Sequence, residues 1–191
     1  MQGCSVGCKR CLSQDTWAPD GGAEMSVGEL ADVIRATVEQ GLDGVTITGG
    51  EPFDQPEALG ALLHELAELR LRSRNPIDLL AYSGYPLRRL EHRHGKLLEL
   101  LDGVIAGPYQ QSKPTRLIWR GSANQEMVAL TRLGRERYSP FQSYVPENPP
   151  VQVAVDDSIW FIGVPRDGDM PRLESLLKSS GVELTGVSWR S

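Results

Sequence analysis

The sequence predicts an α/β fold in which parallel strands alternate with amphipathic helices. Three short runs, DGVTITGG, IDLLAYSGY and DGVIAGPY, are rich in apolar and β-branched residues, and glycines lie near the end of each. The longer segments that follow the first two runs carry leucines at helical spacing. Strands that alternate with such helices form parallel sheets with right-handed crossovers. Ligands in these folds bind at the carboxyl ends of the strands.

The predicted helices have recognisable beginnings and ends. Ser26 and Glu29 form a capping box at the start of the first helix, which Gly41 ends. The second helix lies in QPEALGALLHELAEL, with Pro56 near its first turn. One face of this helix carries four leucines: Leu59, Leu62, Leu63 and Leu66. The third helical segment, PLRRLEHRHGKLLELL, is interrupted at Gly95.

The chain divides into a main domain at residues 1–134 and a C-terminal part at residues 135–191. In the latter, the proline-rich YVPENPP predicts a linker or a surface loop. The runs VQVAV and SIWFIGV flank two aspartates and predict a hairpin, DMPRLESLLKSSG predicts a short helix, and VELTGVSW is a candidate last strand. We expect a small α+β extension that packs on the main domain or presents a docking surface.

Length and composition limit the classes of protein to which the chain can belong. Its 191 residues, 40% of them hydrophobic, can build a full core as one domain or one domain with an appendage. The net charge of −5, without a basic stripe interleaved with aromatic residues, argues against a nucleic-acid partner. No apolar run approaches the ~20 residues that span a bilayer, and the N-terminus lacks a signal-peptide pattern. We therefore expect a cytoplasmic protein without a membrane partner.

All three cysteines lie in the first eleven residues, as Cys4, Cys8 and Cys11. In a reducing compartment, cysteines are more often metal ligands or catalytic groups than disulfides. The spacing C-x3-C-x2-C lets one loop wrap its thiolates around one metal centre. A structural zinc ion would need a fourth ligand, and the three histidines lack ligand-like spacing to the cysteines: His64, His92 and His94. A [4Fe-4S] cluster normally takes four cysteines, so three would leave one iron open to a substrate or cofactor. A zinc site completed by a distant side chain and redox-sensing thiols are the alternatives.

Glycines and polar side chains follow the predicted strands, at the edge where ligands bind. Gly49, Gly50 and Glu51 follow the first strand, and Ser83 follows the second. Two glycines allow a ligand to approach the backbone closely because no Cβ intervenes. The neighbouring backbone groups and the Glu51 carboxylate could hold the ammonium and carboxylate of an amino acid. The alternative is that Glu51 and Ser83 are ordinary polar groups at strand ends.

Several stretches together resemble the radical S-adenosylmethionine (SAM) superfamily, and within it the activating enzymes of glycyl radical enzymes. They are QGCSVGCKRC, the following DTW, TITGGEPF, AYSGY, LLDGVIAGPY and LIWRGSANQ. The cysteine motif is typical of the whole superfamily. WRGSANQ is similar in particular to the group of anaerobic ribonucleoside-triphosphate reductase activating proteins. The resemblance runs from Met1 to about Gln125.

The resemblance implies a partial (β/α) barrel of parallel strands with an open side. It also implies that Cys4, Cys8 and Cys11 ligate three irons of a [4Fe-4S] cluster, while SAM chelates the fourth through its amino and carboxylate groups. The remaining implied contacts are to SAM: Gly49, Gly50 and Glu51 at the methionyl ammonium, and Ser83 at the methionyl or ribose part.

In enzymes of this kind, the reduced cluster cleaves SAM to methionine and a 5′-deoxyadenosyl radical, which takes a hydrogen from a glycine of a partner enzyme. The resemblance thus implies a large glycyl radical enzyme as protein substrate and a flavodoxin or ferredoxin as electron donor. Two alternatives remain. One is a radical SAM enzyme acting on a small molecule or a peptide, and the other is a non-catalytic iron–sulfur or redox protein that retains the cysteine loop.

Two features depart from the superfamily pattern. Arg10 stands where an aromatic or apolar residue often packs on adenine. We expect Trp17 either to take a neighbouring role at the cofactor or to be a buried structural residue. The superfamily also has a strand before the cysteine loop, commonly ending in VQGC, whereas this chain starts with MQGC. We therefore expect the first strand of the barrel to be missing.

For the other charged residues we expect mainly structural or solvent-exposed roles. Asp102 lies at the start of a predicted strand, where a capping role and a catalytic role are both open. His92 and His94 lie in a polar segment and are expected to face water. Five arginines around WRGSANQ are expected to be mostly solvated, with partner docking or a carboxylate of the cofactor as the functional alternative: Arg116, Arg120, Arg132, Arg135 and Arg137.

Overall fold

The computed structural model describes residues 1–38, 40–148, 151–155, 159–166, 168–185 and 187. The helices are α1 (Val27–Val38), α2 (Pro56–Arg72), α3 (Leu87–Leu98), α4 (Arg132–Tyr138) and α5 (Asp169–Ser179). The strands are β1 (Gly44–Ile47), β2 (Asp78–Ser83), β3 (Gly103–Ala106), β4 (Glu126–Ala129), β5 (Val151–Val155) and β6 (Ile159–Gly163). Single 3₁₀ turns lie at Gln14–Thr16, Pro52–Asp54 and Ser139–Phe141.

The main sheet has the strand order β1-β2-β3-β4. β1, β2 and β3 are parallel, which confirms the predicted α/β class and the three predicted strands. β4 was not predicted, and it pairs with β3 in the antiparallel direction. A parallel return needs a long crossover, usually a helix. Residues 107–125 contain no helix, so the chain stays at the carboxyl edge of the sheet and runs back from there. A barrel of parallel strands therefore stays a prediction.

Most of the core lies between α2 and one face of the sheet. All four leucines predicted to share a face of α2 are buried, together with Leu69. They belong to one cluster with Leu79, Ala81 and Val104 of the central strands. Full burial of a leucine side chain contributes about 1.5–3 kcal/mol. Since successive strand residues face opposite sides, Leu80 and Ile105 pack in a second cluster, which includes Tyr138.

The helix boundaries follow the predicted signals. The backbone N–H of Ser26 donates to Glu29 Oε2 at 2.8 Å, and the Glu29 N–H donates to Ser26 Oγ at 3.2 Å, which confirms the capping box. α3 is kinked at His94, whose φ of −133° and ψ of 23° are not helical, next to the predicted break at Gly95. The His94 ring does not simply face water, because it packs 5.3 Å from the Phe53 ring.

Buried carboxylates organise the amino edge of the sheet. Asp102 is fully buried, lies 2.9 Å from Arg70 Nη2, and accepts the N–H of Leu79 at 2.9 Å. The Thr131 hydroxyl, the N-cap of α4, also donates to Asp102. A buried charge is tolerated when it is paired and fully hydrogen-bonded. Asp102 therefore joins α2, β2 and α4 at the edge opposite the strand ends predicted to bind ligand, and its role is structural.

Two of the five arginines expected to be solvated are not. Arg120 is 9% exposed, and its guanidinium donates to the backbone carbonyls of Phe141 and Gln142. Arg137 pairs with the carboxylate of Asp78 and donates to the Pro76 carbonyl at 2.7 Å. The expectation of solvation is wrong at these two positions, because tertiary contacts supply partners for both guanidinium groups. The other three arginines are exposed.

The C-terminal part contains the predicted hairpin, in which β5 and β6 pair in the antiparallel direction, and the predicted helix, α5. The acidic turn of the hairpin and most of the second half of the candidate last strand lie outside the described residues. Residues 182–185 form no strand. The division at residue 134 and the packing of this extension on the main domain stay predictions. Within the described residues, no helix combines the length and apolar character needed to cross a membrane.

The packing of α4 generates a prediction about two helical glycines. A Cβ on Gly134 would lie 1.8 Å from the carbonyl oxygen of Asp102, whereas a Cβ on Gly28 in α1 would meet nothing within 4 Å. Helix propensity favours alanine at both sites by up to about 1 kcal/mol, but overpacking against backbone costs about 1–3 kcal/mol. We expect Gly134→Ala to lower the free energy of unfolding, measured by urea denaturation.

Gly28→Ala is the matched control and is expected to be at least as stable as the wild type. Equal stabilities of the Gly134→Ala and Gly28→Ala proteins would contradict the close approach of α4 to the start of β3.

Candidate functional site

The three cysteines lie on one irregular loop at the N-terminus, and each is half-buried. The N–H of Cys11 donates to the carbonyl of Cys8 at 3.0 Å, which closes a tight turn between the last two cysteines. The backbone is left-handed at Gly7, with φ of +60°, and at Arg10, with φ of +59°. A left-handed residue with a Cβ is uncommon outside turns. The side chain of Arg10 is exposed.

The base of this loop is held by backbone hydrogen bonds to the segment that follows it. Gly3 N–H donates to the Thr16 carbonyl at 2.8 Å, and Cys4 N–H donates to the Trp17 carbonyl at 3.2 Å. Thr16 and Trp17 end the 3₁₀ turn of the DTW motif. Trp17 is therefore joined to the cysteine loop through its backbone, and its ring is half-buried.

The strand end at Gly49 and Gly50 lies directly against the N-terminal residues. The Met1 amino group donates to the Thr48 carbonyl at 2.6 Å, Gly50 N–H donates to Met1 O at 2.8 Å, and Glu51 N–H donates to Gly3 O at 2.8 Å. A Cβ on Gly50 would lie 2.0 Å from Gly3 O, and one on Gly49, whose φ is +118°, would lie 2.2 Å from Met1 O. Within the described residues, no strand precedes β1. The two glycines are required for this close approach.

Glu51 joins the ends of β1 and β2. Its side chain is 1% exposed. Oε1 accepts from the Ser83 hydroxyl at 2.8 Å and from Phe53 N–H at 3.1 Å, while Oε2 accepts from Gly84 N–H at 2.7 Å. Burial raises the pKa of Glu51, and these three hydrogen bonds oppose that rise. The structure thus brings Glu51 and Ser83 into direct contact.

A second set of contacts, which the sequence did not predict, joins the cysteine loop to both strand ends. Ser5, between the first two cysteines, donates its N–H to Asp54 Oδ2 at 2.8 Å. Its hydroxyl lies 2.7 Å from the Tyr85 hydroxyl, which in turn donates to Asp54. Burial works against the ionised form of Asp54, but the hydrogen bonds from Tyr85 and Ser5 prevail and lower its pKa. Asp54 comes directly after the GGEPF stretch, and Tyr85 ends the AYSGY stretch. Their nearness to Glu51 and Ser83 in the sequence was the signal by which they could have been found.

The loop between β3 and β4 forms the remaining side of the site. Gln125 accepts from Gly121 N–H at 2.8 Å and donates to the Gly107 carbonyl at 3.1 Å, which folds WRGSANQ onto the end of β3. A backbone hydrogen bond from Tyr109 reaches Cys8. Burial raises the pKa of the Cys8 thiol, and repulsion from Cys11, Cys4 and Glu51 adds to this. The Cys8 thiol therefore lies within electrostatic reach of the other two thiols and of the Glu51 carboxylate.

The donor set fits a [4Fe-4S] cluster. Three half-buried thiols lie on one loop. In such a cluster each iron is bound by one thiolate, so three thiols can bind three irons. Within the described residues, no three cysteine, histidine or acidic side chains converge closely enough to share a single metal ion. The histidines considered for zinc have other surroundings. His64 hydrogen-bonds to the Gly60 carbonyl of its own helix at 2.7 Å, and His92 is exposed on α3.

Several known proteins that are similar to this chain are named as activating proteins or enzymes. It is 29% identical over 139 residues to the anaerobic ribonucleoside-triphosphate reductase-activating protein of Pasteurella multocida (strain Pm70), covering 69% of this chain and 85% of the relative. The protein of the same name from Enterobacteria phage T4 is 25% identical over 131 residues, covering 69% and 81%. The pyruvate formate-lyase-activating enzyme of Clostridium pasteurianum is 38% identical over 88 residues, covering 44% and 36%. No solved structure matches the chain.

Residues 1–128 match the protein family described as the 4Fe-4S single cluster domain. This match and the activating-enzyme relatives confirm the predicted resemblance, the oxidoreductase class and the two predicted cofactors, a [4Fe-4S] cluster and SAM. Since the matched segment includes the cysteine loop, the three glycine-terminated parallel strands and WRGSANQ, the chain belongs to the 4Fe-4S single cluster domain family, in its radical SAM activating-enzyme group.

Proposed function

We propose that the protein activates a glycyl radical enzyme, similar to anaerobic ribonucleotide reductase, by generating a glycyl radical on it. The observation that carries this proposal is the position of the cysteine loop. Backbone and side-chain hydrogen bonds hold it against the strand ends that present Glu51 and Ser83. The relatives named as activating proteins support the same reaction class.

Cys4, Cys8 and Cys11 are proposed to ligate three irons of the cluster and to leave the fourth iron for the amino and carboxylate groups of SAM. When bound, the reduced cluster supplies the electron that cleaves SAM to methionine and a 5′-deoxyadenosyl radical. The protein contributes binding, orientation and the exclusion of competing reactions. Half-burial of the three thiols supports this division, since it limits the access of water to the ligands.

The strand ends are proposed to bind the methionyl part of SAM. An ammonium group needs acceptors, and the carbonyl oxygens of Gly49 and Gly50 are acceptors that follow β1. Glu51 contributes negative charge, and its hydrogen bond from Ser83 places that hydroxyl at the same edge. Trp17 is proposed to pack on the adenine. Its backbone carbonyl accepts a hydrogen bond from the Cys4 N–H, so it lies next to the cysteine loop.

The proposal includes the protein substrate, the electron donor and the compartment. The protein substrate is a large glycyl radical enzyme, the electron donor is a flavodoxin or ferredoxin, and the compartment is the cytoplasm, with neither nucleic acid nor membrane as partner. We also propose that residues 1–134 form a partial barrel and that residues 135–191 pack on it as an appendage.

The chemistry is tested by anaerobic cluster reconstitution followed by SAM cleavage with dithionite. We expect the wild-type protein to bind iron and to form 5′-deoxyadenosine, and Cys8→Ala to reduce both to background, because the loop then has two thiolates. Adding the glycyl radical enzyme and SAM should produce a glycyl radical signal by electron paramagnetic resonance. Ser26→Ala, which alters the cap of α1, is the control and should retain cleavage.

Other results would select the alternatives. Cleavage without a radical on any candidate partner, but with turnover of a small molecule or peptide, would favour the second enzymatic function. A stable cluster without cleavage, even with the partner present, would indicate a non-catalytic iron–sulfur protein.

The buried state of Glu51 generates a prediction about pH. Since burial raises the pKa of Glu51 above its usual value of 4.5, the folded state binds this proton more tightly than the unfolded state does. The wild type should therefore lose stability relative to Glu51→Gln as the pH rises from about 4.5 through the folded-state pKa, and the difference should be constant below that range. Chemical denaturation of the cluster-free proteins measures this. A difference in stability between the wild type and Glu51→Gln that stays constant as the pH rises would contradict this prediction.

A further inference from the structure

We infer that Asp54 and Tyr85 form a clamp that positions the cluster-binding loop by holding Ser5 between the first two cysteines. The inference rests on the proposed function in that it takes this loop to bind the cluster. It adds two positioning residues, neither of which is a predicted ligand of the cluster or of SAM. We call this pair the Asp54–Tyr85 clamp.

Ser5 is held through both its backbone and its side chain. The N–H donates to Asp54 Oδ2 at 2.8 Å, and the hydroxyl lies 3.1 Å from Asp54 Oδ1 and 2.7 Å from the Tyr85 hydroxyl. Tyr85 also donates to Asp54, which completes a triangle of hydrogen bonds. A residue fixed at its N–H and at its side chain has little rotational freedom, so the backbone that leaves Cys4 is fixed in direction.

The clamp is itself anchored to the sheet. Asp54 ends the 3₁₀ turn that follows Glu51. Tyr85 is 6% exposed, its N–H donates to Ser83 Oγ at 3.0 Å, and its carbonyl accepts from Gly107 N–H at 2.9 Å. The guanidinium carbon of Arg89 lies 3.5 Å from the centroid of the Tyr85 ring, a cation–π contact that covers the ring. The clamp thus connects the loop to the residues that follow β1, β2 and β3.

The next residue reinforces this half of the loop. The Val6 side chain lies against the turn after β2, where a Cβ on Gly84 would be 2.9 Å from Val6 Cγ1. Beyond Val6 the loop turns through the left-handed Gly7 and Arg10. The hydrogen bonds described there are the local Cys11–Cys8 bond and the bond from the Tyr109 backbone to Cys8. The clamp therefore preorganises the part of the loop that carries Cys4 and leads to Cys8.

Preorganisation has a measurable consequence for the cluster. A loop that is already ordered pays less conformational entropy when it binds, so loss of the clamp should weaken retention of the cluster. Groups that orient the ligands of a metal change its affinity by about 10–100-fold when they are replaced. A role in general fold stability would instead lower the melting temperature of the cluster-free protein and leave the cluster unaffected at temperatures where the protein is folded.

The chain offers a matched control for Tyr85→Phe. Tyr138 also donates its hydroxyl to an aspartate, Asp78, but at the amino edge of the sheet. Tyr138→Phe removes the same chemical group from a buried tyrosine–aspartate pair without touching the loop. We compare both variants with the wild type after anaerobic reconstitution of the full chain. The measurements are the rate of iron loss to a ferrous chelator, the paramagnetic resonance spectrum of the reduced cluster, and the melting temperature of the cluster-free protein.

We expect Tyr85→Phe to lose iron about tenfold faster than the wild type, with an altered spectrum, and Tyr138→Phe to lose iron at the wild-type rate even where its melting temperature is lower. Ser5→Ala removes the other side of the same contact. In the double variant Ser5→Ala/Tyr85→Phe, the rate of iron loss should therefore rise by a smaller factor than the product of the factors for the two single variants. Such a shortfall indicates that the two residues are coupled.

Three results would overturn the inference. Iron loss from Tyr85→Phe at the wild-type rate would show that the clamp does not position the loop, while the proposed function would stand. Faster iron loss from both tyrosine variants, in proportion to the decreases in their melting temperatures, would show that the clamp only contributes to fold stability. A wild-type protein that binds no cluster would overturn the proposed function together with this inference.

Discussion

The buried carboxylate of Glu51 is the interaction on which the rest of the site depends. It is almost fully removed from solvent, at 1% exposure, and it accepts hydrogen bonds from both sides of the gap between β1 and β2. An uncompensated buried charge is costly, so the donors must stay in place for the fold to be stable. The Ser83 hydroxyl and the Gly84 amide are thereby held at fixed positions. These hydrogen bonds tie the ends of the two strands to each other.

The conformation of the cysteine loop depends on its contacts with that edge of the sheet. The loop contains no helix or strand, and its cysteines are half-buried, so its own packing contributes little to holding it. Its conformation comes from contacts with its neighbours: backbone hydrogen bonds at Gly3 and Cys4, and the Asp54–Tyr85 clamp at Ser5. The cysteine loop and the proposed SAM-binding edge are consequently joined by hydrogen bonds, although about forty residues separate them in the chain.

The two edges of the sheet use the same chemical groups for different purposes. At the amino edge, Asp78 and Asp102 are neutralised by Arg137 and Arg70 and bind helix α4 to the strands. At the carboxyl edge, no arginine pairs with Glu51 in the described residues, and its pKa is raised. Ion pairs therefore stabilise one edge, while the other keeps a carboxylate that is satisfied by neutral donors and remains electrostatically coupled to Cys8.

The sequence by itself determined most of the helices and strands and indicated the candidate ligands, because these depend on local patterns. Helical leucine spacing located α2, the capping box located α1, and the cysteine spacing with GGE and WRGSANQ indicated the family. Tertiary structure alone decided which distant groups meet. The antiparallel direction of β4, the burial of Arg120 and the triangle of Ser5, Asp54 and Tyr85 join residues far apart in the chain. Such contacts leave no local periodicity, so only the folded chain reveals that a serine between two cysteines is held by the ends of two strands.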